Sequence, residues 1–207
     1  MKTTLITLAV SLFFLTACTN DEAKGSECQA NLPVITTTGA NTFGCCINGN
    51  LLIPRDGTGT FGVRDDGFKT WGDPTGANAY SEIDIHDYKS DRTASLFIHI
   101  QGLHQNGAGN YVIDQSNGAT SIDGFFHTYL HCRVFNEATN SYKYYRSSEN
   151  SGEIKILRYE LVPGVRRIVS GTFNCIVKNT SNPYDSIEIK DGRFDFNGHT
   201  LPSASFP

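Results

Sequence analysis

Three residues in the stretch FFHTYLHC have side chains that can bind a metal ion: His127, His131 and Cys132. Two histidines four residues apart chelate one ion when they lie on a helix, because one turn separates them. On a β-strand they are about 13 Å apart, which a single ion cannot bridge. Alternating apolar residues predict a strand here with one buried face, formed by Phe126, Leu130, Cys132 and Val134. We therefore predict no metal site, and expect His127, Tyr129 and His131 on a polar sheet face.

Asp84, His86 and Ser95 have the residue types of a hydrolytic triad. A predicted hairpin places all three on one face of the sheet, because His86 lies opposite Ser95. Catalysis also needs an exposed nucleophile in a pocket and free N–H donors for an oxyanion, which fully paired strands do not offer. No G-x-S-x-G, H-E-x-x-H or phosphate-binding glycine motif occurs in the chain. We predict a protein that is not an enzyme, and a hydrolase is the less favoured alternative.

The hairpin that positions this trio consists of two predicted strands joined through residues 89–92. Isoleucine and leucine alternate with polar residues in both strands, and a slip of one residue would place apolar side chains opposite polar ones. The register is therefore a specific prediction. It pairs Tyr88 with Thr93, Ile85 with Leu96, Ile83 with Ile98 and, on the solvent-facing side, Glu82 with His99.

The longest segment without regular alternation is 55–78, and it contains the only tryptophan, Trp71. Long loops on a β scaffold often carry binding sites. Trp71 and Phe68 are candidates for stacking on a sugar ring, and Tyr144 is a candidate for a second aromatic platform. The alternative role for Trp71 is closing one end of the core. The carboxylates that could bind calcium, but lack the spacing of an EF-hand, are Asp65, Asp66 and Asp73. No cofactor is predicted.

From Asn41 onward, apolar residues alternate with period two between turn residues, which is typical of an all-β domain. We expect a single antiparallel β-sandwich over residues 41–207, with a closed lipocalin-like β-barrel as the alternative. The predicted strands are Thr42–Ile47, Leu51–Pro54, Tyr80–Tyr88, Thr93–Leu103, Tyr111–Asp114, Phe125–Phe135, Ser141–Arg146, Glu153–Val162, Arg166–Lys178 and Asp185–Phe196.

The last predicted strand changes phase along its length. Ile187 and Ile189 define one face by odd numbers, whereas Phe194 and Phe196 continue the apolar set on even numbers. An extra residue between them is needed to keep all four on one side. The sequence therefore predicts a β-bulge at Asp191-Gly192, with glycine accommodating a positive φ.

The N-terminus has the order of a secretory signal: a basic start, an apolar run too short to span a bilayer, and small residues before Cys18. The pattern LTAC resembles the lipobox of bacterial lipoproteins, which implies cleavage before Cys18 and acyl chains, such as palmitate, carried by that cysteine. Two or more chains give stable membrane anchoring. We therefore predict a signal peptide at 1–17, a lipidated flexible tether at 18–40 and a domain at 41–207. The acidic residues after Cys18 resemble a Bacteroidetes surface-export signal, which favours the cell surface over the periplasm.

The stretches NTFGCCING and DGRFDF, with SGTFNC before the latter, resemble an uncharacterised family of Bacteroidetes lipoproteins. This resemblance implies a β-rich lipoprotein of the outer membrane, and it carries over no catalytic residue. We expect a noncatalytic binding or interaction module whose ligand is a protein or a glycan. The alternatives are a glycan-binding surface protein, a hydrolase and a purely structural envelope protein. A formal net charge of −4, without a basic cluster, argues against nucleic acid as a partner.

Five cysteines remain after Cys18, so they cannot all pair within one chain. Cys45, Cys132 and Cys175 alternate with apolar residues and are expected in the core, where one disulfide among them is one option. Cys46 points the opposite way from Cys45, which makes Cys28 its candidate partner.

Overall fold

The computed structural model describes residues 27–60, 62–76, 78–90 and 94–207. The predicted signal peptide, the predicted lipidation site Cys18 and Thr93 lie outside the described residues. None of the helices in the described part of the chain has the length and apolar character needed to cross a bilayer. The strands are β1 (Thr42–Ile47), β2 (Asn50–Leu52), β3 (Phe68–Asp73), β4 (Tyr80–His86), β5 (Ser95–Gln101), β6 (Gly109–Ile113), β7 (Tyr129–Asn136), β8 (Ser141–Val162), β9 (Arg166–Asn179) and β10 (Ser186–Asn197). A short helix, α1 (Leu103–Asn106), follows β5.

The strands form one antiparallel sheet in the order β2-β1-β10-β9-β8-β7-β5-β4-β3, which curls into a half-barrel. The prediction of an all-β antiparallel domain is confirmed. The two strands predicted at 141–146 and 153–162 are one continuous strand, β8, of 22 residues. On one side of β8, its first part pairs with β7 and its second part with β6. On the other side, β9 pairs with both parts. The register shift within β8 lets one strand turn the corner of the sheet.

The core lies inside the curl and joins its two ends. Phe68 on β3 packs edge-on against Phe43 on β1 and Phe196 on β10, with ring centroids 5.9 and 5.7 Å apart. Phe173 on β9 contacts the other side of Phe43 at 5.8 Å. All four rings are at most 3% exposed. The inner face of the sheet is therefore apolar, and the outer faces of β3 and β10 point away from each other.

The predicted hairpin register is confirmed, since Ile85 pairs with Leu96 and Ile83 with Ile98. Glu82 also pairs with His99, as predicted. The prediction that this last pair faces solvent is wrong, because Glu82 is 0% and His99 1% exposed. Residues that follow β6 in the chain cover this part of the outer face, which local alternation does not reveal.

The bulge predicted in the last strand is confirmed, with the register of β10 against β9 shifting between Ile189 and Gly192. The positive φ, however, belongs to Asp191, at 53°, and not to Gly192. Gly192 is required for a different reason. A Cβ at Gly192 would lie 2.5 Å from two ring atoms of Phe173, so the glycine makes room for a core phenylalanine.

Residues 27–41 form an N-terminal strap on the outer face of β10. The first attachment is a disulfide between Cys28 and Cys46, as predicted for Cys46, with Cα atoms 5.9 Å apart. The second is Asp195, which is 1% exposed and accepts hydrogen bonds from the backbone N–H groups of residues 38–40. The sequence predicts a flexible tether up to residue 40, but the described part of that tether is attached to the domain by a disulfide and a buried carboxylate.

Asp195 has an ionised side chain in this arrangement. Burial opposes its ionisation, but the hydrogen bonds from Thr36 and from the N–H groups of Ala40, Gly39 and Thr38 together hold its pKa below the usual value. The strap is therefore fixed by a buried negative charge that several donors compensate.

The remaining described cysteines, Cys45, Cys132 and Cys175, are free and buried. Their predicted core position is confirmed, and no disulfide joins any two of them. Burial raises the pKa of all three thiols. They are protonated at neutral pH, so they behave as small apolar core residues and not as nucleophiles.

Candidate functional site

The outer face of β3, β4, β5, β7 and β8 carries two parallel rows of polar and aromatic side chains. The strand register sets these rows, because residues that pair across neighbouring strands point to the same side. The first row consists of Trp71, Glu82, His99 and Tyr129. The second row consists of Lys69, Asp84, Phe97, His131 and Arg146.

The first row is largely covered by residues 114–128, which we call the cover loop. Glu82 fixes this loop, since one carboxylate oxygen accepts a hydrogen bond from the backbone N–H of Ser121 at 2.6 Å. The same oxygen lies 2.9 Å from Nδ1 of His99. Trp71 donates from Nε1 to the Ser121 hydroxyl at 3.4 Å. A buried carboxylate thus joins the sheet to the loop above it.

Ring stacking rigidifies the sheet surface under and beside the cover loop. His99 stacks on Tyr129 with centroids 4.5 Å apart and planes 6° from parallel. Phe97 stacks on His131 at 4.7 Å, and Trp71 lies 6.0 Å from Phe97. The hydroxyl of Tyr129 donates to the carbonyl of Ala119 in the cover loop. Together these contacts make a pre-formed aromatic surface.

Four residues of the second row, all except Lys69, line an open groove of about 670 Å³. The cover loop forms one wall through Gly118 and Thr120, and strand β8 contributes Tyr144 and Arg146. Phe97 and His131 belong to the sheet surface between them. A groove of this size on a rigid sheet face has the dimensions of a small-molecule or oligosaccharide site.

The structure brings together two of the three aromatic residues predicted to bind a ligand. Trp71, which is half-buried, and Tyr144, which is 57% exposed, both line the groove. The prediction for Phe68 is wrong, because its ring is 2% exposed and belongs to the core. Phe68 and Trp71 are three positions apart on strand β3, and an odd spacing places them on opposite faces. The predicted long loop thus contains an edge strand.

The charged residues of the groove are mainly basic. Arg133 lines it beside Tyr144, with which it pairs across β7 and β8. The Arg133 guanidinium lies 4.4 Å from the ring centroid of Tyr142, a cation–π contact. Arg146 lies against the backbone of Gly118, where a Cβ would come within 2.5 Å of its Nε atom. The Arg133 guanidinium is therefore positioned by an aromatic ring, and the Arg146 guanidinium lies close to the cover loop.

His131 is uncharged at neutral pH. Burial and then the positive charge of Arg146 lower its pKa to about 4, against opposite contributions from Asp84 and Glu82. Its Nδ1 atom lies 3.2 Å from the hydroxyl of Ser116 in the cover loop. The imidazole therefore serves as a flat aromatic partner of Phe97 and not as a cation.

The predicted trio of Asp84, His86 and Ser95 also lines this groove. Asp84 Oδ1 lies 2.9 Å from His86 Nε2, and His86 pairs with Ser95 in the register predicted. Within the described ranges, no hydrogen bond joins the Ser95 hydroxyl to the imidazole. The His86 ring instead stacks on Tyr88 at 5.0 Å. The triad geometry is thus only half formed.

The residues considered for metal binding are separate and have other partners. His127 precedes strand β7, which begins at Tyr129 and not at Phe125 as predicted, and its Nε2 bonds the carbonyl of Gln115. The predicted burial of Phe126 is wrong, since it is 65% exposed. Among the residues that the structure describes, no three His, Cys, Asp or Glu side chains are arranged to hold a metal ion. Two of the acidic side chains considered for calcium have other partners: Asp66 bonds Arg64, and Asp73 bonds Thr75.

Comparison with known proteins found no matching protein family, no similar curated protein and no similar solved structure. The candidate site therefore depends on its geometry alone. Sequence reasoning missed the basic residues Arg133 and Arg146 and the aromatic residues Phe97 and His131 as members of one site. The predicted hairpin register already placed Phe97 beside Asp84. The extension to β7 and β8 required the strand order, which has no local signal.

Proposed function

We propose that this protein is a noncatalytic binding module of the bacterial outer membrane, anchored through a lipid on Cys18, and that the groove binds a glycan. The observation that carries the proposal is the combination of Trp71 and Tyr144 with guanidinium groups along one open groove. Aromatic rings offer flat faces to sugar rings, and arginine offers fixed hydrogen-bond donors to their oxygens. The lipobox and the stretches similar to Bacteroidetes lipoproteins support the anchoring and the envelope location.

The size of the groove supports an extended ligand. Trp71 lies on β3 and Tyr144 on β8, which are four strand spacings apart, or roughly 19 Å along the sheet. A ligand that contacts both rings therefore crosses several strands of the sheet. A short oligosaccharide chain can do so.

Titration calorimetry against a panel of neutral and acidic oligosaccharides tests the binding proposal. We expect at least one member to bind and the Trp71→Ala variant to lose tenfold or more of that affinity. Tyr184→Ala is the matched control, because Tyr184 is 97% exposed and lies outside the groove. Absence of binding by the whole panel, or equal losses in the two variants, would contradict a glycan site in this groove.

Mass spectrometry of the membrane fraction tests the anchor. We expect a mature chain that begins at an acylated Cys18, and a Cys18→Ser variant that is released from the membrane. Protease treatment of intact cells then distinguishes the two sides of the outer membrane: degradation supports surface exposure, and full protection assigns the domain to the periplasm. A mature N-terminus elsewhere would refute lipid anchoring.

A hydrolase is the second candidate, favoured by the contact between Asp84 and His86 inside the groove. The noncatalytic proposal is preferred because the described residues show no hydrogen bond from Ser95 to His86. Incubation of the same oligosaccharides, and of model esters, with the protein would decide between them. Turnover that disappears in His86→Ala, with binding retained, would establish the enzyme.

We also propose that the curled sheet is a β-sandwich in its packing and not a closed barrel. The two ends of the strand order, β2 and β3, are not paired with each other in the described sheet. Phe68 instead packs its ring across the core against Phe43 and Phe196. An experimental structure with a hydrogen-bonded ladder between β2 and β3 would contradict this.

A further inference from the structure

We propose that the groove selects acidic glycans, meaning sugars that carry carboxylate or sulfate groups; this inference rests on the proposed function and names its ligand class. The groove is lined by Arg133 and Arg146 and by one carboxylate, Asp84. The whole chain has the opposite balance, with a formal net charge of −4. A locally basic groove on an acidic protein favours anionic ligands electrostatically.

The single carboxylate of the groove is already engaged. Asp84 lies 2.9 Å from His86 Nε2 through Oδ1 and 3.9 Å from Lys69 Nζ through Oδ2. Its charge is therefore balanced by Lys69 on strand β3. Arg146 lies on another strand, β8, and its positive charge is therefore separate from the Asp84 cluster.

Arg146 is the better placed of the two arginines for an incoming anion. It is exposed, and among the described residues no carboxylate forms an ion pair with it. Its guanidinium lies against the backbone of Gly118, which has φ of +77° and no side chain to displace it. A guanidinium can form a bidentate pair with a carboxylate or sulfate.

The neighbouring rings explain why the anion should be part of a sugar. Arg146 pairs directly with His131, whose ring stacks on Phe97 at 4.7 Å. Tyr144 is exposed two positions away on the same strand face. An acidic sugar can place its charged group on Arg146 while its ring lies against these aromatic surfaces. A bare inorganic anion would use only the charge.

The test compares oligogalacturonates and heparin-derived oligosaccharides with uncharged counterparts, namely methyl-esterified oligogalacturonates and neutral oligosaccharides of the same length. We expect at least one acidic probe to bind the full-length wild-type domain at least tenfold more tightly than its counterpart. Its affinity should also fall as salt concentration rises. Arg146→Gln should remove that preference, leaving binding of the neutral probe within twofold of wild type.

Lys178→Gln is the matched control, because Lys178 is exposed and pairs with Arg146 one strand further along, outside the groove lining. It removes the same unit of charge and should change affinity less than twofold. Neutral probes that bind as tightly as acidic ones would overturn the inference and leave the proposed glycan site intact. Equal losses of affinity for the acidic probe in the two variants would indicate general electrostatic attraction, and would also overturn the inference. Failure of every probe, acidic and neutral, would overturn the proposed function together with the inference.

Discussion

Replacement of Asp195 by asparagine should detach the strap from β10 without changing the size of the side chain. In the native protein, Asp195 Oδ2 accepts from the Thr36 hydroxyl and the N–H groups of Thr38 and Ala40, while Oδ1 accepts from the N–H of Gly39. An asparagine oxygen can replace only one of these acceptors. If it takes the Oδ2 position, its amide NH₂ faces the N–H of Gly39, and two donors meet.

One buried donor without an acceptor costs about 1–3 kcal/mol, and the bonds that remain lose their charge assistance. We therefore expect Asp195→Asn to lower the free energy of unfolding by about 2–4 kcal/mol in urea titrations. Hydrogen exchange at Thr38, Gly39 and Ala40 should accelerate at the same time. Asp191→Asn is the control, because Asp191 is partly exposed, contacts Gln29 and has a φ of 53° that asparagine also tolerates.

Unchanged stability of Asp195→Asn, with slow exchange retained at residues 38–40, would refute the conclusion that this carboxylate holds the strap. A loss of stability without faster exchange in the strap would show that the effect arises elsewhere in β10. Acidification should mimic the substitution. Because the folded pKa of Asp195 is lowered, its contribution is present above about pH 4 and is lost as the pH falls through its folded pKa.

Three further predictions concern other parts of the fold. Gly192→Val should reduce the free energy of unfolding by about 1–3 kcal/mol or more, because its Cβ would collide with the ring of Phe173; wild-type thermal stability would contradict this. Cys28→Ser should lower the free energy of unfolding by about 3 kcal/mol, because it opens a disulfide loop with a sequence separation of 18. Under reducing conditions, the wild type and this variant should have the same free energy of unfolding. His131 has a folded pKa of about 4, so stability should fall by about 3 kcal/mol between pH 6.5 and pH 4 as the unfolded chain takes up a proton. His131→Gln should flatten that part of the pH profile, and a retained slope would assign it to another group.

The parts of the fold that depend on local alternation could be predicted from the sequence. The hairpin register from Ile85–Leu96 to Glu82–His99 and the bulge after Ile189 follow from period-two patterns within one or two strands. The burial of Glu82 did not follow, since its partner Ser121 is 39 residues away. Period two identifies the two faces of a strand, but it does not show which distant segment covers the polar one.

The strap and strand β3 were missed for related reasons. Residues 27–40 contain few large apolar side chains, which is typical of a linker, yet their attachments are a disulfide and hydrogen bonds to Asp195, more than 150 residues later. Strand β3 ends in glycine and aspartate and shows no clear alternation, so the sequence predicts a loop around Trp71. An edge strand forms ladder hydrogen bonds on one side only, and β3 forms its ladder with β4. This long-range pairing has no signal within residues 68–73.

The strap would also limit the distance between the domain and the membrane if the proposed lipid anchor is correct. If Cys18 carries the lipid, only eight residues lie between the acylated residue and Glu27, and nine fully extended residue steps span at most about 32 Å. The strap lies on the outer face of β10, whereas the groove proposed to bind a glycan lies on the outer face of β3, β4, β5, β7 and β8. If the proposed anchor and the proposed glycan site are both correct, the membrane would lie on the β10 side and the groove would face away from it.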